Sequence, residues 1–326
     1  MTQHHPYESL TPDLVLDAVE STGLISDLRI LALNSYENRV YQVGIESSQP
    51  IIVKFYRPER WTNEQILEEH QYTLALKDLD ISVVAPMTHD AGETLHHFDQ
   101  FRFALYERQG GHAPNLDNLD TLLSLGRTLG RMHALGKEKI FTHRLDINLD
   151  TFGYQSVEFL LQNNFIPDSL KNAYTSLTAD LLNICAEQMR IPYQKIRLHG
   201  DCHPGNILWR HDTAHFVDFD DARNGPAIQD LWMLLSGERQ QQIEQLSEIL
   251  EGYNEFCDFN LRELPLIESL RSLRIIHYSA WLARRWQDPA FPKFFPWFNT
   301  ERYWGEHILQ LREQLAAIHE PPLVIY

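Results

Sequence analysis

The chain reads as an α+β protein of two lobes, a small antiparallel sheet first and a mainly helical region after it. Three observations predict this. Runs of β-branched and aromatic residues at 28–33, 39–45 and 50–56 are separated by polar breaks at 34–38 and 46–49, as in short paired strands. Beyond Gly110 and Gly111 the apolar spacing becomes helical. At 326 residues and 43% hydrophobic content, the chain exceeds one ordinary core and has apolar surface for two.

The elements follow in order. Thr11 as N-cap and Pro12 at the first helical position open a helix. The third strand run carries Lys54 among apolar neighbours, where an unpaired ammonium is expensive. A helix over 62–78 offers Glu64, Glu68 and Glu69, whose bland reading is a solvated face. A strand over 101–106 is expected to close the sheet, with Gly110 and Gly111 turning the chain toward the helices. Leu122, Leu125, Leu129 and Met132 form one apolar helix face, on which His133 reads as a packed or capping histidine. Further helices are expected over 151–195, broken at 163–168, and another over 229–235 with Asp230 near its start. The C-terminal third is helical and aromatic, with Arg271, Arg274, Arg284 and Arg285 interleaved. Core packing explains its rings, and an acceptor-binding wall is the alternative.

The most telling segment is His199-Gly-Asp201-Cys-His203-Pro-Gly-Asn206, followed by Phe216-Val-Asp218-Phe-Asp220-Asp221. Phosphoryl transfer asks for a base that orients a hydroxyl and for oxygen ligands that hold Mg²⁺ against nucleotide phosphates. Asp201 fits the base, and Asn206 and Asp218 fit the ligands. Strands over 207–210 and 215–219 joined by a turn at 211–214 would pair Arg210 with His215 and bring Asn206 beside Asp218. A transition-metal cluster of His199, His203, His211 and His215, or a metal-bound run of Asp218, Asp220 and Asp221, explains neither Asn206 nor the hairpin order.

Composition excludes several classes. A formal net charge of −17 argues against nonspecific binding to nucleic acid or anionic membrane. Cys185, Cys202 and Cys257 are odd in number and widely spaced, which suits neither a disulfide framework nor a zinc site; Cys202 reads as a small filler rather than a redox sensor. No run suggests a secretion signal or a membrane span, so the expected location is the cytoplasm.

The pattern His-Gly-Asp-x-His-x-x-Asn, a hairpin, Asp-Phe-Asp-Asp and the later Gln229-Asp230-Leu-Trp resembles the aminoglycoside phosphotransferase and choline kinase group, relatives of protein kinases. Longer likenesses such as 61–70 point within it to a bacterial Ser/Thr protein kinase of stress response. The resemblance implies a protein kinase-like fold, with a nucleotide lobe over 1–109 and a helical lobe over 110–326 carrying the catalytic loop and metal site. It implies that Lys54 holds ATP phosphates and pairs with a helix glutamate, Glu69 or its neighbour Glu68. It also implies that the backbone from Glu107 to Gln109 meets adenine, and that Asp230 braces the catalytic loop; the bland reading of Asp230 is a favourable charge at a helix start. The loop at 35–38 departs from the Gly-rich pattern of protein kinases, leaving Ser35 and Asn38 as phosphate donors or as parts of an ordinary turn. The implied partners are ATP, Mg²⁺ and a protein acceptor, for a monomeric enzyme. The alternatives are a small-molecule alcohol kinase and a silent nucleotide-binding module.

Overall fold

Thr11 accepts the backbone N–H of Leu14 and Pro12 occupies the first turn, so the first helix begins where its caps dictate. The computed structural model describes residues 5–89 and 92–325. In chain order the elements are α1 (Pro12–Glu20), β1 (Ser26–Ala32), β2 (Arg39–Ile45), β3 (Ile51–Phe55), α2 (Asn63–Asp78), β4 (His96–Phe98), β5 (Phe101–Glu107), α3 (Leu119–Glu138), α4 (Gln155–Gln162), α5 (Asp168–Gln188), β6 (Ile196–Leu198), β7 (Ile207–Arg210), β8 (Thr213–Phe216), β9 (Arg223–Gly225), α6 (Ile228–Trp232), α7 (Arg239–Asn254), α8 (Ile267–Arg284), α9 (Ala290–Phe294) and α10 (Glu301–Ala317).

The chain forms two compact units. The first runs to Asn115 and also takes in Phe141–Arg144 and His203–Ala222; the second comprises Leu116–Ile140, Leu145–Cys202 and Arg223–Tyr326. The hairpin β7–β8 thus packs with the sheet unit, although its place in the sequence puts it among the helices. Hydrogen bonds explain this: Phe216 donates to Ser82 and accepts from Val84, while Trp209 and His112 exchange a reciprocal pair.

In the first unit the sheet order is β1-β2-β3-β5-β4, antiparallel throughout. The strand Phe101–Glu107 is therefore interior, and the short β4 closes that edge. Alternation gives the sheet two apolar faces. Val53, Phe55, Phe101, Phe103 and Leu105 pack with Val15, Ala18 and Val19 of α1. Tyr56, Ala104 and Tyr106 pack on the other side with Trp61 and Ile66. Lys54 pairs with Ala104 and points to that second side. Gly111 does not adopt a left-handed turn; a Cβ there would lie 2.9 Å from that of Leu208, so glycine serves a close approach to β7.

In the second unit, Leu122, Leu125, Leu129 and Met132 are fully buried, as the spacing of α3 predicts. α3 lies close against α7 because Gly126 and Gly130 face the carbonyls of Ile249 and Tyr253, where any Cβ would collide. Strands β6 and β9 pair antiparallel. The C-terminal rings are mainly core: Phe291, Phe298 and Trp304 are buried with Leu181, Leu273 and Ile276. Tyr278, Phe294 and Trp297 stay 40%, 46% and 44% exposed, so only part of the aromatic set is available to a partner.

Candidate active site

Lys54 is buried, and its ammonium lies 3.1 Å from Asp218 Oδ1 and 3.2 Å from Asp220 Oδ1. Burial alone would lower its pKa. The carboxylates of Asp220, Asp218 and Glu69 outweigh that and hold it well above the ordinary lysine value, so it stays a cation. The two aspartates differ sharply in setting. Asp220 is 4% exposed and is held by Lys54 and by Arg60, whose second nitrogen takes Asp221 at 2.8 Å. Burial would raise the Asp220 carboxyl, but Arg60 and Lys54 bring it down to about 2. Asp218, by contrast, is 54% exposed. Asp220 therefore anchors the cations, and Asp218 presents a carboxylate outward.

Local backbone places Asp218. Its φ of 59° and ψ of 62° are left-handed, a conformation aspartate tolerates better than most residues, and a single 3₁₀ turn, Phe219–Asp221, follows. The hairpin before it is tighter than the sequence suggests. Arg210 pairs with Thr213 rather than His215, because His211 and Asp212, at φ 50° and 56°, alone form the turn. Two left-handed residues match the twist of paired strands. The register moves by two residues, so each side chain keeps its face. Val217 donates to the Asn206 carbonyl at 3.0 Å, which puts Asn206 across from the residue preceding Asp218. Asn206 ends the 3₁₀ turn Pro204–Asn206, opened by His203, whose Nδ1 accepts from Gly205. An amide oxygen and an exposed carboxylate oxygen at one hairpin end fit a hard divalent cation such as Mg²⁺ that draws further ligands from water and phosphate. Among the described residues no three His, Cys, Asp or Glu side chains converge as a metal cluster, so the four histidines do not assemble one.

The helix glutamates depart from expectation. Glu69 is buried but pairs with Arg144 at 2.9 Å, and reaches Lys54 only through its field. Arg144, its side chain fully buried, also donates to the carbonyls of Gln65, Asp220 and Ala222. Glu68 is partly exposed but engaged: it accepts the backbone N–H groups of Thr142, His143 and Arg144. Ser35 and Asn38 bond within their own neighbourhood, Ser35 to the Asn38 carbonyl and Asn38 Oδ1 to the Arg57 N–H. Glu107 ends β5 with an exposed side chain 3.6 Å from Lys77, and the Gln109 amide donates to the Gly110 carbonyl. Arg60 and Arg144 were not legible as site residues; the pair Arg57 and Arg60 before Trp61 was the available signal for the first, and nothing marked the second.

The second unit holds Asp201 and its support. Asp230, fully buried, accepts from the N–H groups of His199 at 2.8 Å and Gly200 at 2.9 Å. It also takes Nε2 of the buried His133, whose Nδ1 meets the Tyr253 hydroxyl. Thus Asp230 braces the loop, and His133 is a packed histidine in the service of that brace. Gln229 adds a bond to the Gly200 carbonyl. Asp201 itself, 21% exposed, forms an ion pair with Arg274 of α8. Burial pushes the Cys202 thiol well up, which suits a filler and not a reactive thiolate.

Residues 29–267 match the model of the Phosphotransferase enzyme family. The chain belongs to this family. It is 46% identical over 317 residues to stress response kinase A of Escherichia coli O157:H7, covering 97% of this chain and 96% of the relative. It is 45% identical, over the same shares, to the Serine/threonine protein kinase RdoA of Salmonella typhimurium. Among solved structures, an amicoumacin kinase in complex with AMP-PNP, Ca²⁺ and Ami superposes with a TM-score of 0.73 at 18% identity, over 96% of this chain and 94% of that one. A microcompartment-associated aminopropanol kinase gives 0.68 at 17%, over 94% and 98%. These likenesses show the two-lobe α+β kinase-like fold. The chain is a kinase, of an ATP-using phosphotransferase family. No helix among the described residues is long and apolar enough to cross a membrane.

Proposed function

We propose that this kinase transfers the γ-phosphoryl group of ATP, with Mg²⁺, to Ser or Thr hydroxyls of proteins in a cytoplasmic stress response. The observation that carries the reading is the 46% identity across nearly the whole chain to stress response kinase A. Asp201 orients the acceptor hydroxyl and takes its proton; Asn206 and Asp218 hold the metal; Lys54 holds nucleotide phosphates once they draw it from the aspartates. The metal, when bound, neutralises charge on the β- and γ-phosphates. Glu107 to Gln109 offer backbone to adenine, and the turn of Ser35 and Asn38 covers phosphate with backbone N–H groups, since the Ser35 hydroxyl and Asn38 Oδ1 are engaged in the turn. Glu69 acts on the nucleotide side through Arg144 and by its field on Lys54.

A second reading, transfer to a small alcohol, is favoured by one observation: the two solved structures named above are kinases of small molecules. Labelled ATP and Mg²⁺ separate the two. Label on the chain itself or on a generic protein acceptor supports the first; label only on added choline, homoserine, aminopropanol or an aminoglycoside replaces it with the second.

A further inference from the structure

The bonds from Asp230 fix the backbone of the loop at His199 and Gly200, but they do not set the direction of the Asp201 carboxylate. One side chain that reaches the carboxylate is Arg274, whose Nη1 lies against Asp201 Oδ1. Its neighbour one turn back on α8 is otherwise engaged: Arg271 grips Glu268 at 2.9 Å and 3.0 Å and stacks over Trp232. Arg274 is 37% exposed and Asp201 21%, and Asp201 Oδ1 is itself buried, so Arg274 brings a partly solvated positive charge against a buried carboxylate oxygen.

The geometry points to Arg274 as a positioning residue for Asp201: it pins one carboxylate oxygen so that the other is directed at the acceptor hydroxyl. This rests on the phosphoryl-transfer reading in which Asp201 is the base. A guanidinium suits the task because it stays charged at every working pH and carries that charge on a rigid plane. A loose transition state needs little basicity from the carboxylate, so an adjacent cation costs little in proton transfer while orientation is gained.

The test is steady-state kinetics of the full chain with ATP, Mg²⁺ and a generic protein acceptor. Arg274→Ala is expected to lower kcat about 10- to 100-fold, keep the KM for ATP and the thermal midpoint, and recover part of the loss when guanidinium is added. Arg274→Lys should fall between. If Arg274→Ala does not fold, Arg274→Gln and Arg274→Lys are judged by the same loss. A folded Ala or Gln variant with kcat within about twofold of the parent overturns the proposal. So does an equal loss in the Ala and Lys variants without guanidinium recovery, because charge and plane would then be irrelevant. Asp201→Ala is run beside them: if it retains transfer, the reading of Asp201 fails, and if it is dead while Arg274→Ala is unimpaired, only the present inference fails.

Discussion

Glu69 gives its carboxylate to Arg144 at 2.9 Å, both side chains buried, while Lys54 spends its charge on Asp218 and Asp220. Burial raises the Glu69 carboxyl even with Lys54 and Arg144 nearby, so the ion is held at a cost. Removing one member of a buried pair strands the other. Arg144→Leu is expected to destabilise the fold by about 3–5 kcal/mol, read as a lower urea midpoint, and adding Glu69→Leu should recover part of it, since the carbonyls of Gln65, Asp220 and Ala222 lose Arg144 as donor either way. An unchanged midpoint in the single variant would show that Glu69 does not depend on Arg144.

Asp218 and Asp220 stand two residues apart and should fail differently. Asp218→Asn alters a half-exposed carboxylate, so stability should change by less than about 1 kcal/mol while Mg²⁺-dependent nucleotide binding is lost. Asp220→Asn leaves Arg60 and Lys54 short of a buried counter-charge and should cost about 3 kcal/mol or more. Calorimetry of nucleotide binding beside urea unfolding checks both. The reverse pattern would exchange the roles assigned to the two.

Asp230 accepts from two backbone N–H groups and from His133 with two oxygens. Asparagine offers one oxygen and turns an NH₂ toward a donor. Asp230→Asn is therefore expected to cost about 2–3 kcal/mol and to lower kcat, with ATP affinity changed little. Transfer at the parental rate would mean that the loop holds its shape without the brace.

Much of this was legible because it depends on local chemistry. The Thr11 cap and the face of α3 follow from residue type and spacing, the brace from Asp230 only from the family resemblance, and the structure shows each. The partners of Glu69 and Asp201 were not legible, since Arg144 and Arg274 arrive from 75 and 73 residues away and no spacing marks them. The hairpin register was missed for a different reason. Four polar residues at 211–214 look like a turn, but Thr213 and Ala214 can enter a strand once His211 and Asp212 accept positive φ.

That turn yields a prediction of its own. His211 and Asp212 occupy left-handed positions that asparagine and glycine fill with less strain. The double change His211→Asn, Asp212→Gly should raise stability by roughly 0.5–1 kcal/mol without altering transfer. A lower thermal midpoint would argue against the two-residue turn.

Glu263 gives stability a pH dependence at the start of α6, the helix that carries Asp230. Its carboxylate accepts the N–H of Ile228 at the start of α6 and is 2% exposed. Burial pushes its pKa up from 4.5 to about 7, against the lowering by the N–H groups of Ile228 and Ala227 and by Lys137. The folded chain thus keeps a proton that the unfolded chain releases near pH 4.5. Its contribution is fully present below that pH and is lost as pH rises through about 7, for a total on the order of 3 kcal/mol. Glutamine keeps the acceptor and cannot ionise. Glu263→Gln and the parent should therefore unfold at similar urea concentrations near pH 4.5, with the variant growing relatively more stable up to pH 8. A difference that stays constant across that range would mean that Glu263 is already ionised in the fold, and that the N–H groups at α6 outweigh its burial.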